Sequence, residues 1–100
     1  MSYLKMTEFE TNELISNEYF VIRGIAARYL DLTSEELDEL SRDEDWWVRH
    51  HIAERDDLTA EQVERLSQDE DEYVRRAIER NPHAQMLLGE KKKKRQGLKL

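Results

Sequence analysis

The chain has 100 residues, no cysteine and a formal net charge of −7. This length allows one domain with a modest core, and the lack of cysteine excludes a disulfide framework, a thiolate zinc site and a cysteine-held iron–sulfur cluster. The sequence has no uncharged apolar stretch of about 18 residues and no basic-then-apolar leader at its start. We therefore expect a cytoplasmic protein without a membrane span.

The charge is divided unevenly along the chain. Residues 1–90 carry all 23 acidic residues and 10 Lys or Arg, hence −13, whereas residues 91–100 carry +6. The acidic body repels nucleic-acid phosphates and attracts basic surfaces. The segment 91–100 is expected to be a disordered tail, since adjacent cations repel one another and bury little. The tail could contact nucleic acid, anchor the chain to an anionic surface, or have no specific role. The cations of this segment are Lys91, Lys92, Lys93, Lys94, Arg95 and Lys99.

The body is an internal repeat of 26 residues. Residues 32–57 and 58–83 are two copies with eleven of 26 paired positions identical, and a weaker copy lies upstream at about 6–31, where Leu14 matches Leu40. Repeats of this length indicate stacked helical units in which each unit buries its apolar side against the next. We therefore predict one helical-repeat domain over residues 1–90.

Each repeat is predicted to begin with a short helix. Thr7, Thr33 and Thr59 are each followed three residues later by Glu or Gln, which is the spacing of a capping box. Apolar residues three apart, such as Leu37 and Leu40, then give these helices one inward side.

A second helix is predicted to follow in each repeat. The acidic triplets 43–45 and 69–71 can cap its start and favour its positive end. Asn81 and Pro82 end the last copy, because a residue before proline avoids helical dihedrals, and a short closing helix is expected at 84–89. The predicted inward stripe consists of Trp47, Val48, His51 and Ile52, aligned with Tyr73, Val74, Ala77 and Ile78.

The pattern LTxExLxxLSxDxDxxVRxxIAxR, read over 32–55 and 58–80, resembles the leucine-rich repeat variant family, a relative of HEAT-like repeats. The resemblance implies an all-α fold: a short right-handed α-solenoid, or superhelix, of about three 26-residue two-helix repeats, in which the first helix of each repeat is often 3₁₀. Some relatives carry an iron–sulfur cluster on a separate cysteine-bearing segment. Because this chain has no cysteine, that function does not transfer, and the family implies a fold but no partner.

Arginines recur at the same position of every repeat and should form a column in the stack. We interpret this column as structural, with each arginine bridging acids and loop carbonyls of its own or the adjacent repeat. The alternative, a guanidinium ladder that grips a phosphate or an acidic peptide, is disfavoured because neighbouring acids compete for the arginines. The predicted ladder comprises Arg23, Arg49 and Arg75 with Asp43, Asp45, Asp69 and Asp71.

Metal binding and catalysis find little support in the sequence. The triplets 43–45 and 69–71 lack the glycine that a calcium loop uses for its bend. His50 and His51 are adjacent and point about 100° apart on a helix, whereas zinc helices use pairs four residues apart. We therefore predict no metal, no cofactor and no enzymatic activity, with His50 solvated and His51 on the inward stripe.

Trp46 and Phe20 are the predicted partner-binding residues. Trp46 lies two residues, hence about 200° around the helix, from core residue Val48, so it should point outward. Phe20 occupies the same position one repeat upstream. As neighbours rimmed by acids, the two rings would anchor a partner. The alternative for Trp46 is packing over the loop of its own repeat.

The sequence thus predicts a non-enzymatic protein–protein interaction module that presents an acidic, aromatic-anchored surface to a basic partner or to another copy of itself. Two alternatives remain open. The acidic surface could imitate a nucleic-acid backbone and inhibit a nucleic-acid-binding protein, or the tail 91–100 could contact nucleic acid directly.

Overall fold

The structure is a computed structural model that describes the backbone of residues 2–97 and the side chains of residues 2–90. The described chain is helical and contains no strand, which confirms the predicted all-α class. The helices are α1 (Glu8–Ile15), α2 (Phe20–Tyr29), α3 (Ser34–Leu40), α4 (Trp46–Ala53), α5 (Ala60–Ser67), α6 (Glu72–Glu79) and α7 (Pro82–Gly97).

The even-numbered helices α2, α4 and α6 pack side by side, and α1, α3 and α5 each pack on the even helix that follows them. Phe20 at the start of α2 contacts Trp47 at the start of α4, and Arg28 near the end of α2 lies 3.7 Å from Glu54 just after α4. Helices α2 and α4 therefore run in the same direction. The stacking of Trp46 on Tyr73 at the starts of α4 and α6, and the contact of Asn81 with Ala53 at their ends, show the same for α6. Val48 and Val74 are both fully buried in a single apolar core, as expected of equivalent residues in stacked repeats.

Capping boxes start the first helix of all three repeats. Each threonine hydroxyl accepts a hydrogen bond from the backbone N–H three residues on, and the side chain of that residue accepts one in return. The predicted helix starts are confirmed. The resemblance implies that the first helix of each repeat is often 3₁₀, whereas α1, α3 and α5 are α-helices. The reciprocal caps satisfy two free N–H groups in the first turn of each helix.

Aspartates cap the N-termini of α4 and α6. Asp45 Oδ1 accepts from Trp47 N–H at 2.9 Å, and Asp71 Oδ1 accepts from Tyr73 N–H at 2.8 Å. These carboxylates also lie at the positive end of each helix dipole. By contrast, Tyr19, the residue at the N-cap of α2, makes no side-chain capping hydrogen bond.

The closing helix is much longer than the predicted 84–89. Buried Asn81 caps it, because its Oδ1 accepts from Ala84 N–H at 3.2 Å, and Pro82 occupies the first helical position, where no N–H is needed. The helix continues to Gly97, so residues 91–97 are helical where a disordered tail was predicted. Lysine, arginine and glutamine are good helix formers, and cations are favoured near a helix C-terminus. Residues 98–100 of the predicted tail lie outside the described residues.

None of the helices between residues 2 and 97 has the length and apolar character needed to cross a bilayer.

Candidate functional site

A row of six aromatic rings crosses the even helices. Successive ring centroids lie 5.8, 4.3, 5.6, 6.3 and 5.2 Å apart. The row combines residues from the starts of the three helices with the two histidines of α4, so it joins all three repeats in one surface. In order, its members are Phe20, Trp47, His51, His50, Trp46 and Tyr73.

One end of the aromatic row is the stacked pair of Trp46 and Tyr73. Their ring centroids are 5.2 Å apart with planes inclined by 30°, and the residues are 40% and 55% exposed. Each ring thus keeps a large apolar area in water while its neighbour holds it in place. A preformed aromatic pair of this kind loses little conformational freedom when a partner covers it.

Phe20 does not pair with Trp46 as the repeat alignment suggested. It packs edge-on against Trp47, with planes at 89°, and Trp46 pairs instead with Tyr73. The reason is that the aromatic residue at the second position of each helix contacts the first residue of the corresponding helix one repeat earlier. Trp47 contacts Phe20 in this way, and Tyr73 contacts Trp46. Phe20, 45% exposed, therefore remains in the row, but at its far end. Trp46 packs onto the following repeat rather than over its own loop.

Gly24 explains why Trp47 and Tyr73 differ although they occupy equivalent positions. A Cβ on Gly24 would lie 2.5 Å from Trp47 Cε3, so only glycine leaves room for the indole. The equivalent residue one repeat later is His50, whose Nδ1 lies 3.2 Å from the Tyr73 carbonyl oxygen. Trp47 consequently packs inward and is half-buried, whereas Tyr73 remains outside. We did not single out Gly24 in the sequence; its departure from the repeat inside a helix was the available signal.

Charge is distributed differently on the two sets of helices. Helices α1, α3 and α5 contain nine acidic residues and one arginine, whereas α2, α4 and α6 contain two acidic residues and five arginines. The pair of Phe20 and Trp46 was expected to be rimmed by acids. The acidic rim of the row is its loop side, where the side chains of Glu44 and Glu70 are 91% and 92% exposed.

The opposite rim of the row is a basic cleft of about 390 Å³. Arg28, Arg76 and Arg80 line it together with His50 and Tyr73. Its one acidic lining residue is Glu54, which lies 3.7 Å from Arg28 and 3.5 Å from His50. The cleft suits a polar or acidic group of a ligand that also covers Tyr73.

His51 lies on the inward stripe, as predicted. Its Nδ1 is 3.4 Å from Glu54 Oε1, yet the contact lacks hydrogen-bond geometry and both ring nitrogens are buried without a partner. Burial lowers the pKa of His51, Glu54 acts in the opposite direction, and the neighbouring His50 and Arg28 lower it further. A neutral imidazole packed on Trp47 is therefore favoured. Among the described residues, no group of His, Asp and Glu side chains could hold a metal ion.

The arginine column connects successive repeats. Arg23 donates from Nε and Nη2 to the two oxygens of Asp43 at 2.8 and 3.0 Å, and Arg49 does the same to Asp69 at 2.9 and 3.2 Å. Each also donates from Nη1 to a carbonyl in the loop before its own helix. Such bidentate pairs fix orientation as well as distance, so the ladder holds each repeat on the next.

Arg75 ends the ladder without a carboxylate partner from residues 2–90. Its Nη1 donates to the Asp69 carbonyl oxygen at 2.6 Å, but Arg95 stands where a further repeat would supply aspartate. No acidic side chain between residues 2 and 90 forms an ion pair with Arg75. Asp45 and Asp71, which we had included in the ladder, cap helices instead, because their oxygens face the N–H groups of the first turn.

A second set of links between repeats was missed in the sequence. Arg55 is 1% exposed; it donates to both oxygens of Asp57 at 2.9 and 2.8 Å and to the Ala27 carbonyl oxygen at 2.7 Å. The Tyr3 ring covers its guanidinium at 3.7 Å. One repeat later, Asn81 donates to the Ala53 carbonyl oxygen at 2.8 Å. The link is made by an arginine in one repeat and by an asparagine in the next. Because the two residue types differ, the repeat alignment did not reveal that they hold equivalent positions in the structure.

The predicted cations Lys91, Lys92, Lys93, Lys94 and Arg95 belong to α7, and their side chains lie outside the described residues. Comparison with known proteins finds no matching family model, no matching curated protein and no matching solved structure.

Proposed function

We propose that the protein is a non-enzymatic protein-binding module whose binding surface is the aromatic row on α2, α4 and α6. The observation that carries the proposal is the stacked, solvent-exposed pair Trp46 and Tyr73. Exposed aromatic rings held in place by their own scaffold concentrate interface energy, because they bury a large apolar area at low entropic cost.

The charges beside the row favour a protein partner of mixed polarity. Basic side chains of the partner would face the loop rim at Glu44 and Glu70, whose side chains are almost fully exposed. An acidic or polar group would face the cleft at Arg76 and Arg80. Complementary charges on both sides of an aromatic anchor set the orientation of a partner more than its affinity.

The scaffold is proposed to be a helical-repeat domain of the leucine-rich repeat variant kind, acting in the cytoplasm. Three successive helix pairs with capping boxes at 26-residue intervals support the repeat assignment. The lack of cysteine agrees with a reducing compartment.

Photo-crosslinking tests the surface directly. A photoreactive phenylalanine analogue at Tyr73 samples the row, and the same analogue at Met86, which is also 55% exposed, samples a matched position on α7. In host extract, we expect a protein adduct from position 73 that disappears in a Trp46→Ala background, with no such adduct from position 86. Equal adducts from both positions, or an adduct that Trp46→Ala leaves unchanged, would contradict the proposal.

A second candidate function is imitation of a nucleic-acid backbone. The nine acidic residues and single arginine of α1, α3 and α5 favour it. Inhibition of a nucleic-acid-binding protein by these charges should collapse between about 50 and about 200 mM salt, whereas binding through aromatic rings should persist.

Direct nucleic-acid contact through residues 91–100 is tested by deletion. If the deleted chain and the full chain are retained equally on immobilised nucleic acid, the cations of that segment make no such contact.

A further inference from the structure

Exposed apolar side chains are concentrated at the first end of the stack. Among residues 2–90, eleven large hydrophobic residues are exposed, and eight of them lie within residues 4–29. Helical repeats need a polar outer face at each end to remain soluble. The end formed by α1, α2 and the preceding segment therefore has the character of an interface.

The centre of this end is a row of three side chains on α2. Val21, Ile25 and Tyr29 are spaced four residues apart, so they lie along one side of the helix, and they are 45%, 50% and 47% exposed. Beside them is an apolar cleft of about 360 Å³, whose other wall includes Leu4 and Met6. We call Val21, Ile25 and Tyr29 the outer row.

The repeat shows which way the outer row faces. One repeat later, the equivalent residues are Trp47, His51 and Arg55. Trp47 packs back against α2 at Gly24, and Arg55 reaches back to the last turn of α2. The outer row is thus directed away from α4, toward the place where a preceding helix would pack.

We propose that a second copy of this chain covers the outer row, with α2 packed against α2 of the other copy. The row carries no charge, whereas residues 1–90 carry −13. Contact between two copies of the row itself therefore brings no like charges together.

Within residues 2–90, the other end of the stack does not offer a partner for the outer row. There α7 packs on both α5 and α6, and α6 presents Glu72 and Arg76, which pair with each other at 2.7 Å. Burying that charged pair against Val21 and Ile25 would remove it from water without compensation. The contact must then join two identical ends, which gives a closed, two-fold symmetric dimer rather than a chain of molecules.

A two-fold axis perpendicular to α2 makes the two α2 helices antiparallel, and this arrangement specifies which residues meet. The middle of the outer row then lies near the axis, so Ile25 faces Ile25 of the other copy. Val21 then faces Tyr29 of the other copy, and the reverse contact repeats this one.

A single introduced cysteine tests this arrangement, because the natural chain has none. Oxidation of Ile25→Cys should give a disulfide-linked species of twice 12.0 kDa, while the matched surface variant Met86→Cys should remain monomeric in a denaturing gel. Equal crosslinking of the two variants, or none at position 25, would overturn the proposal.

Light scattering on the unmodified protein supplies an independent measurement. We expect a dimer at about 100 µM, roughly 100-fold above a micromolar dissociation constant, and a monomer with unchanged helical circular dichroism for Val21→Glu combined with Ile25→Glu. Trp46→Ala should stay dimeric, so the result is separable from partner binding through the aromatic row. A monomeric natural chain, or a dimer that survives both glutamates, would overturn the proposal.

Discussion

Arg49 and Asp69 join the second repeat to the third through two hydrogen bonds of 2.9 and 3.2 Å, with side chains only 9% and 10% exposed. The Asp69 carboxylate makes one more hydrogen bond, because its Oδ1 also accepts from Asp71 N–H at 2.9 Å. One aspartate thus organises the loop before α6 and receives the arginine of the preceding repeat. The interface between repeats and the start of the next helix therefore depend on the same atoms.

The ladder predicts that its inner and terminal arginines contribute differently to the free energy of unfolding. Arg49→Ala should lower the free energy of unfolding by about 3 kcal/mol, because it leaves a mostly buried carboxylate without its cation. Arg75→Ala should cost only about 1 kcal/mol, the typical loss of a single hydrogen bond. Urea denaturation of the two variants measures both values. A cost for Arg75→Ala equal to or above that of Arg49→Ala would contradict this account of the ladder.

Gly24→Ala should destabilise the protein although alanine favours helices over glycine. The added methyl group would overlap the Trp47 ring, and overpacking of this kind costs about 1–3 kcal/mol. The indole must move, so its fluorescence should change together with the thermal midpoint. Gly89→Ala, at a helical glycine where an added Cβ would meet nothing within 4 Å, should leave the indole fluorescence nearly unchanged. A stabilised Gly24→Ala protein would show that Trp47 does not occupy this site.

Substitutions of the two adjacent tryptophans should separate an effect on stability from an effect on partner binding. Trp47→Ala removes a half-buried indole and should cost about 2–3 kcal/mol, below the value for a fully buried tryptophan. Trp46→Ala removes a ring that is 40% exposed and should cost about 1 kcal/mol, close to the worth of its stacking contact. Thermal melts that rank the two variants in the opposite order would reverse their assigned roles.

Mild acid should destabilise the protein through His51. The pKa of His51 in the folded chain is lowered from its ordinary value of 6.5, chiefly by burial. Below pH 6.5 the unfolded chain binds a proton that the folded chain rejects, so the free energy of unfolding falls as pH drops from 6.5 toward the folded pKa. His51→Phe, which cannot titrate, should flatten this dependence between about pH 7.5 and about 5.5. Identical slopes for the natural chain and the variant would contradict the burial of a neutral ring.

The sequence predicted those features that every repeat shares. Capping boxes, the buried valines and the arginine column depend on residue types that recur at 26-residue intervals, so local chemistry and spacing were sufficient. The predicted contact between Phe20 and Trp46 was wrong. The alignment identifies equivalent residues, but it does not show which residue of the neighbouring repeat each of them contacts. Gly24 and Arg55 were missed because each departs from the repeat, and such departures acquire meaning only when the neighbouring repeat is placed beside them.

The ends of the domain were the least predictable part. Periodicity describes the interior of a stack, whereas the end residues lack one neighbour. The extent of α7 depends on the helix-forming tendency of lysine and arginine, which competes with the charge repulsion on which the predicted disorder rested. The apolar outer row at the other end became visible only once α4 fixed the direction of α2.

The most direct test of the proposed binding surface is the affinity of the protein captured by the Tyr73 crosslink, measured by calorimetry for the natural chain, Trp46→Ala and the matched surface variant Met86→Ala. We predict that Trp46→Ala raises the Kd about tenfold or more, as loss of an aromatic anchor does, while Met86→Ala leaves the Kd unchanged. The same Kd for the natural chain and Trp46→Ala, with both proteins folded, would contradict the account.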